Sequence, residues 1–105
     1  KKMAQLEINT FVIDVNDEGY FTDPGQWTTE IAMELATREG ITLTDKHFDV
    51  LDFLRTKQRE GVPLSIRKVG KSGIVDIKEF YALFPGGPLK ISSKIAGIPK
   101  PVSCV

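Results

Sequence analysis

The sequence predicts an α+β domain, mainly α: a small helical bundle, helix-turn-helix-like in outline, with an N-terminal β-hairpin and an extended C-terminal arm. Three observations predict it. Leu6, Ile8, Phe11 and Ile13 alternate with polar neighbours on either side of Asn9-Thr10, the pattern of two half-buried strands. Apolar residues then recur at spacings of three and four, most strongly at Ile77, Phe80, Tyr81 and Phe84. After Gly97 come Pro99 and Pro101, each of which fixes its own φ and restricts the residue before it. The expected organisation is a single helical domain over residues 1–96 and a flexible arm over 97–105, mobile or lightly docked because its prolines donate no backbone hydrogen bond.

Each element has a local reason. Asn9-Thr10 suits a two-residue hairpin turn, since Asn tolerates positive φ. Asp17-Glu18-Gly19 is a second turn. Asp23-Pro24-Gly25-Gln26 has the layout of a helix start, with Asp as N-cap, Pro at the first helical position and Gln three after the cap. Trp27, Ile31 and Leu35 would share that helix's buried face, and Gly40 would end it. Thr44 caps a second helix with Val50, Leu51 and Leu54 inward; Gly61 and Pro63 stop it. A short helical segment is expected from Leu64 to Val69, then a turn at Gly70–Gly73. Asp76 caps the helix carrying the strongest stripe, which places Phe80, Tyr81 and Phe84 in the core together with Trp27. Pro85-Gly86-Gly87-Pro88 breaks it, and Pro88 opens a last helix through Ala96.

Composition narrows the function classes. At 105 residues, 41 % hydrophobic and 27 % charged, the chain reads as an ordinary globular domain. No stretch approaches the roughly 18 apolar residues of a membrane span, and Lys1–Glu7 lacks the apolar run of an export signal. One cysteine and one histidine exclude an internal disulfide framework and a Cys/His zinc site, so no metal or cofactor is expected. A reducing cytoplasm is the expected compartment. Asp14-x-Asn16-x-Glu18-Gly19 starts like a calcium loop, but its twelfth position is Gly25 rather than a bidentate Glu. His47 sits early on an amphipathic helix, where a hydrogen-bonded structural role is the expectation. Zero net charge hides an asymmetry: residues 1–62 carry 12 acidic and 7 basic side chains (net −5), residues 63–105 carry 2 and 7 (net +5). The basic half either forms solvated helix faces or meets an anionic ligand, partner or nucleic acid.

The candidate reactive group is Cys104. From Gly97 a polyproline-type arm would span about 22–25 Å, enough to carry one sulfur into a neighbouring protein's cleft. Its chemistry depends on the thiolate. Arg67, Lys90, Lys94 and Lys100 would favour the anion electrostatically, while the carboxylate of Val105 opposes it. A competing reading takes Pro63–Phe84 as a DNA-binding helix-turn-helix, yet the second helix would show Asp76, Lys78 and Glu79, a net of −1 where phosphate contact needs Lys and Arg.

Leu83-Phe84-Pro85-x-Gly87-Pro88 followed by Lys94-x-Ala96-Gly97-x-Pro99-Lys100-Pro101-x-x-Cys104-Val105 resembles the carboxyl end of the DsrC/TusE family, the gamma subunit of dissimilatory sulfite reductase and its sulfur-relay relatives. Asp17-Glu18-Gly19-Tyr20, Trp27, Thr44, His47, Phe53-Leu54-Arg55, Pro63 and Arg67 fall in matching order, so the resemblance covers nearly the whole chain. It implies a cytoplasmic sulfur carrier whose Cys104 holds a persulfide or enters a partner's active site. The implied partners are a sulfite reductase-like enzyme or a DsrEFH/TusBCD-like sulfurtransferase complex, with no membrane and no nucleic acid required. Dissimilatory members place a second cysteine where this chain has Ser93, so the resemblance implies a single-cysteine variant. The chain also departs at Thr56-Lys57-Gln58, where relatives often carry tyrosines. The short Gly70–Asp76 connection is similar to the sulfite-reductase type, whereas the single cysteine is similar to TusE.

Overall fold

The structure is a computed structural model and describes residues 3–102. It opens with β1 (Met3–Ile8) and β2 (Phe11–Asn16), antiparallel, in the register Ala4↔Val15, Leu6↔Ile13 and Ile8↔Phe11. Asn9 adopts φ 54° in the two-residue turn, as its short polar side chain allows. Strand alternation sends Ile8, Ile13 and Val15 inward against Phe21 and Ile31 and leaves Val12 in solvent. The next turn is closed by Asn16, whose Oδ1 accepts from the backbone N–H of Glu18 (2.9 Å) and Tyr20 (3.0 Å).

Asp23 does cap, its carboxylate accepting from Gly25 N–H, but what it starts is a single 3₁₀ turn, Pro24–Gln26. Gln26 does not close a capping box. Its side chain reaches the hairpin instead, accepting from Asp14 N–H (2.9 Å) and donating to Asp14 Oδ2 (3.1 Å). Trp27 is extended (φ −79°, ψ 141°), and the α-helix begins only after a second cap, Thr28, as α1 (Thr29–Arg38). The expected single helix from Asp23 is therefore split, because Trp27 leaves the helical path to reach the far end of the chain.

The helix starts expected at Thr44, Asp76 and Pro88 lie where the sequence places them, whereas the short helix expected from Leu64 starts only after a cap at Ser65. Thr44 opens α2 (Asp45–Arg59), closed as a capping box with His47. Such a cap contributes about 0.5–2 kcal/mol. His47 Nδ1 accepts from Thr44 N–H (3.1 Å), so the ring proton lies on Nε2 and is donated to the Leu83 carbonyl (2.9 Å). The ring also meets Phe84 edge-on at 5.1 Å. This is a structural histidine, tying the start of α2 to the chain after Phe80. Ser65 caps α3 (Ile66–Gly70), Asp76 caps α4 (Ile77–Leu83), and Pro88 opens α5 (Pro88–Ile95).

The main core surrounds α2: Val50, Leu51 and Leu54 pack with Ala32 and Ala36 of α1, Val69 of α3, Phe80 of α4, and Leu89 and Ile95 of α5. Trp27 and Leu35 join this core to the smaller one under the hairpin. The α4 stripe is narrower than its periodicity suggests. Phe80 and Phe84 are fully buried, but Ile77 and Tyr81 are 45 % and 48 % exposed. Residues 77 and 81 form a ridge displaced by one position from 80 and 84, and a two-turn helix at the edge of the domain has only one ridge covered. No helix among the described residues is long and apolar enough to cross a membrane.

Candidate functional site

An α-helix ends with four carbonyls that have no intrahelical donor. At the end of α5 each of the four finds one. Ile98 N–H donates to the Ser93 carbonyl and Gly97 N–H to that of Lys94, both at 3.2 Å. These are the two bonds of a Schellman cap, with Gly97 in the left-handed region at φ 69° and Ile98 fully buried beyond it. The remaining two carbonyls are taken by side chains from distant segments. The Trp27 indole N–H donates to Ile95 O at 2.7 Å, and Arg55 Nη1 donates to Ala96 O at 3.0 Å.

Trp27 and Arg55 also hold each other. The guanidinium carbon lies 4.3 Å from the centre of the indole ring, and Nη2 donates to the Pro24 carbonyl at 3.3 Å. Burial lowers the pKa of Arg55, Arg59 adds to the effect, and Asp52 opposes it. A guanidinium keeps its charge at neutral pH regardless. Gly97 lies directly against the indole: a Cβ there would fall 2.7 Å from Trp27 Cγ. The root of the arm is thus a clamp of Trp27, Arg55 and Gly97, which sets the direction in which the chain leaves the domain.

Beyond the clamp the described part of the arm lies on the body. Ile98 and Pro101 are buried, and residues 98–102 run along a groove bordered by Gln58, Val62, Pro63 and Leu64. Lys100 Nζ reaches both oxygens of Glu18, at 2.9 and 3.0 Å. Val102 is 87 % exposed. Cys104 lies outside the described residues.

The four candidate supporting cations do not form one cluster. Lys94 and Lys100 both lie against the Glu18–Tyr20 turn, Lys94 with its Nζ 5.1 Å from the Tyr20 ring centre. Lys90 is exposed one turn earlier on α5. Arg67 belongs to a separate cleft with Lys57, Lys68 and Lys71. Ser93 is fully buried on α5 at the arm's root, and among the described residues its hydroxyl has no hydrogen-bond partner. Sequence reasoning assigned Trp27 to the core and gave Arg55 no structural role. Their partners are carbonyls 68 and 41 residues away, and no local pattern announces such contacts.

The fold of this chain matches solved structures. The structure of DsrC from Allochromatium vinosum superposes with a TM-score of 0.78 at 30 % identity, over 99 % of this chain and all of that one. The oxidized gamma subunit of dissimilatory sulfite reductase from Archaeoglobus fulgidus gives 0.79 at 30 % identity, over 97 % and 100 % of the two chains. Among sequence relatives, the sulfurtransferase TusE of Yersinia pestis is 38 % identical, covering 95 % of this chain and 99 % of its own length. The TusE of Escherichia coli is 37 % identical, covering 89 % and 93 %. The family model for DsrC-like proteins matches residues 7–105, and the chain belongs to that family.

Proposed function

We propose that the protein is a sulfur carrier that accepts sulfane sulfur on Cys104 and passes it on as a persulfide. The observation that carries this reading is the clamp at Gly97. It fully satisfies the end of α5 and fixes the root of a segment that Pro99 and Pro101 stiffen and whose sequence continues to Cys104. Relatives named sulfurtransferase TusE and structures of the sulfite reductase gamma subunit support the same assignment.

The chemistry is an exchange without net oxidation. The Cys104 thiolate attacks the outer sulfur of a donor persulfide. One S–S bond forms, the donor's S–S bond breaks, and the donor thiolate leaves with the electron pair. Delivery repeats the step in reverse, with an acceptor as nucleophile and the Cys104 thiolate as leaving group. Ser93 cannot hold a second sulfur bond, so the sulfur travels on a single thiol, between a sulfurtransferase complex or a sulfite reductase-like enzyme and its acceptor, in the cytoplasm. The helix-turn-helix reading gains nothing from the structure. Helix α4 has seven residues and shows Asp76 and Glu79 to solvent beside Lys78, a poor surface for phosphate.

Intact mass after incubation with a sulfurtransferase and a sulfane-sulfur source tests the proposal. The protein gains about 32 Da per sulfur atom, reversibly with reductant, and Cys104→Ser gains nothing. An unchanged wild-type mass beside a demonstrably loaded donor refutes it.

A further inference from the structure

On the side of α2 that faces α3, four cations border one cleft of about 560 Å³: Lys57, Arg67, Lys68 and Lys71. Phe53 and Val62, both half-buried, contribute apolar surface, and no carboxylate among the described residues lines the cleft. Lys57 is paired with Glu60 at 3.4 Å. The other three cations are exposed and, among the described residues, form no ion pair. The wall that carries them is held locally: Ser65 Oγ accepts from Lys68 N–H (3.0 Å), and Ser72 Oγ donates to the Val69 carbonyl (2.6 Å). Concentrating like charges around a concave surface raises the local potential and costs self-repulsion unless an anion is present.

Val62 also borders the groove that carries residues 98–102, so the basic cleft adjoins the path of the arm. We propose that this cleft is the docking site for an acidic segment of the protein that exchanges sulfur with Cys104, an inference that rests on the carrier reading. The apolar floor favours a peptide carrying an aliphatic or aromatic residue between carboxylates over a bare phosphate, which would use only the cations. A nucleic-acid backbone is disfavoured on the same ground: its phosphates would use only the cations and leave Phe53 and Val62 uncovered. Docking here would hold the partner beside the arm and raise the effective concentration of the two sulfurs, with electrostatic steering of the encounter.

The probe is a synthetic peptide, acetyl-Glu-Asp-Leu-Glu-Phe-Asp-Glu-amide, titrated into the isotopically labelled full chain and followed by amide NMR shifts. Its Gln/Asn counterpart, inorganic phosphate and a short nucleic-acid duplex are run in parallel. The acidic peptide is expected to give saturable shifts at Arg67–Ser72, weakening about tenfold between low and physiological salt. Replacing Arg67 and Lys71 together by Glu weakens it by at least about tenfold, while Lys90→Glu leaves it unchanged. Absent shifts, equal binding of the neutral peptide, or tighter binding of phosphate or the duplex at this cleft overturn the proposal. Loading of Cys104 from a low-molecular-weight polysulfide is measured separately by intact mass. A chain that loads sulfur but ignores the peptide refutes the docking site alone. A chain that fails to load refutes the carrier reading, and with it the assignment of a sulfur-exchanging partner to the cleft.

Discussion

Replacing Gly97 by Ala tests the clamp at its tightest point. Two costs add. At φ 69° an L-residue is disfavoured relative to Gly by about 1–2 kcal/mol. The new Cβ would also fall 2.7 Å from Cγ and 2.8 Å from Cβ of Trp27. The indole cannot simply move aside, because its N–H is tied to Ile95 O at 2.7 Å and Arg55 covers its face. Such overpacking costs about 1–3 kcal/mol, giving a total of about 2–5 kcal/mol. Gly40→Ala isolates the first cost: Gly40 has φ 75°, and a methyl added there would meet nothing within 4 Å. In thermal melts followed by circular dichroism, Gly40→Ala should lower Tm by about 4–8 °C and Gly97→Ala by about 10–20 °C. If the two variants melt together, the Trp27 contact contributes nothing and the clamp is not a rigid mount for the arm.

Trp27→Phe keeps a ring but removes the donor to Ile95 O, so it should cost about 1–3 kcal/mol in a denaturant titration with an unchanged m-value. Ser93→Ala removes a buried hydroxyl that has no partner among the described residues and should raise stability by about 1 kcal/mol in the same assay; a loss would mean that the hydroxyl is satisfied. Under oxidation the wild type should form only intermolecular bonds through Cys104, whereas Ser93→Cys should close an internal disulfide that protects both thiols from alkylation; a variant that stays reduced while the wild type dimerises would show that Cys104 does not reach position 93. Glu18→Gln breaks an ion pair whose side chains are 39 % and 49 % exposed, so the melting temperature should move by less than about 3 °C.

The sequence by itself determined the elements whose signals are local. Asn9 marks the hairpin turn, Thr44 and Asp76 open α2 and α4, Pro88 opens α5, and Gly97 ends it, because caps and turns act through bonds spanning two to five residues. The motif around Cys104 was legible for the same reason: it is a contiguous run in the chain. Tertiary structure decided what Trp27 does. A good start at Asp23 was cut to one 3₁₀ turn so that residue 27 could meet residues 95 and 97. It decided which ridge of α4 is buried, since Ile77 and Tyr81 satisfy the helical period as well as Phe80 and Phe84 but stay about half exposed, Ile77 covered only on the side where it meets Gly70. It also separated Arg67 from Lys94 and Lys100, which one-dimensional charge counting had placed in a single basic half. Periodicity reports that a face is apolar or charged. Which face is covered, and which charges become neighbours, depends on contacts between residues tens of positions apart, and those exist only once the chain has closed on itself.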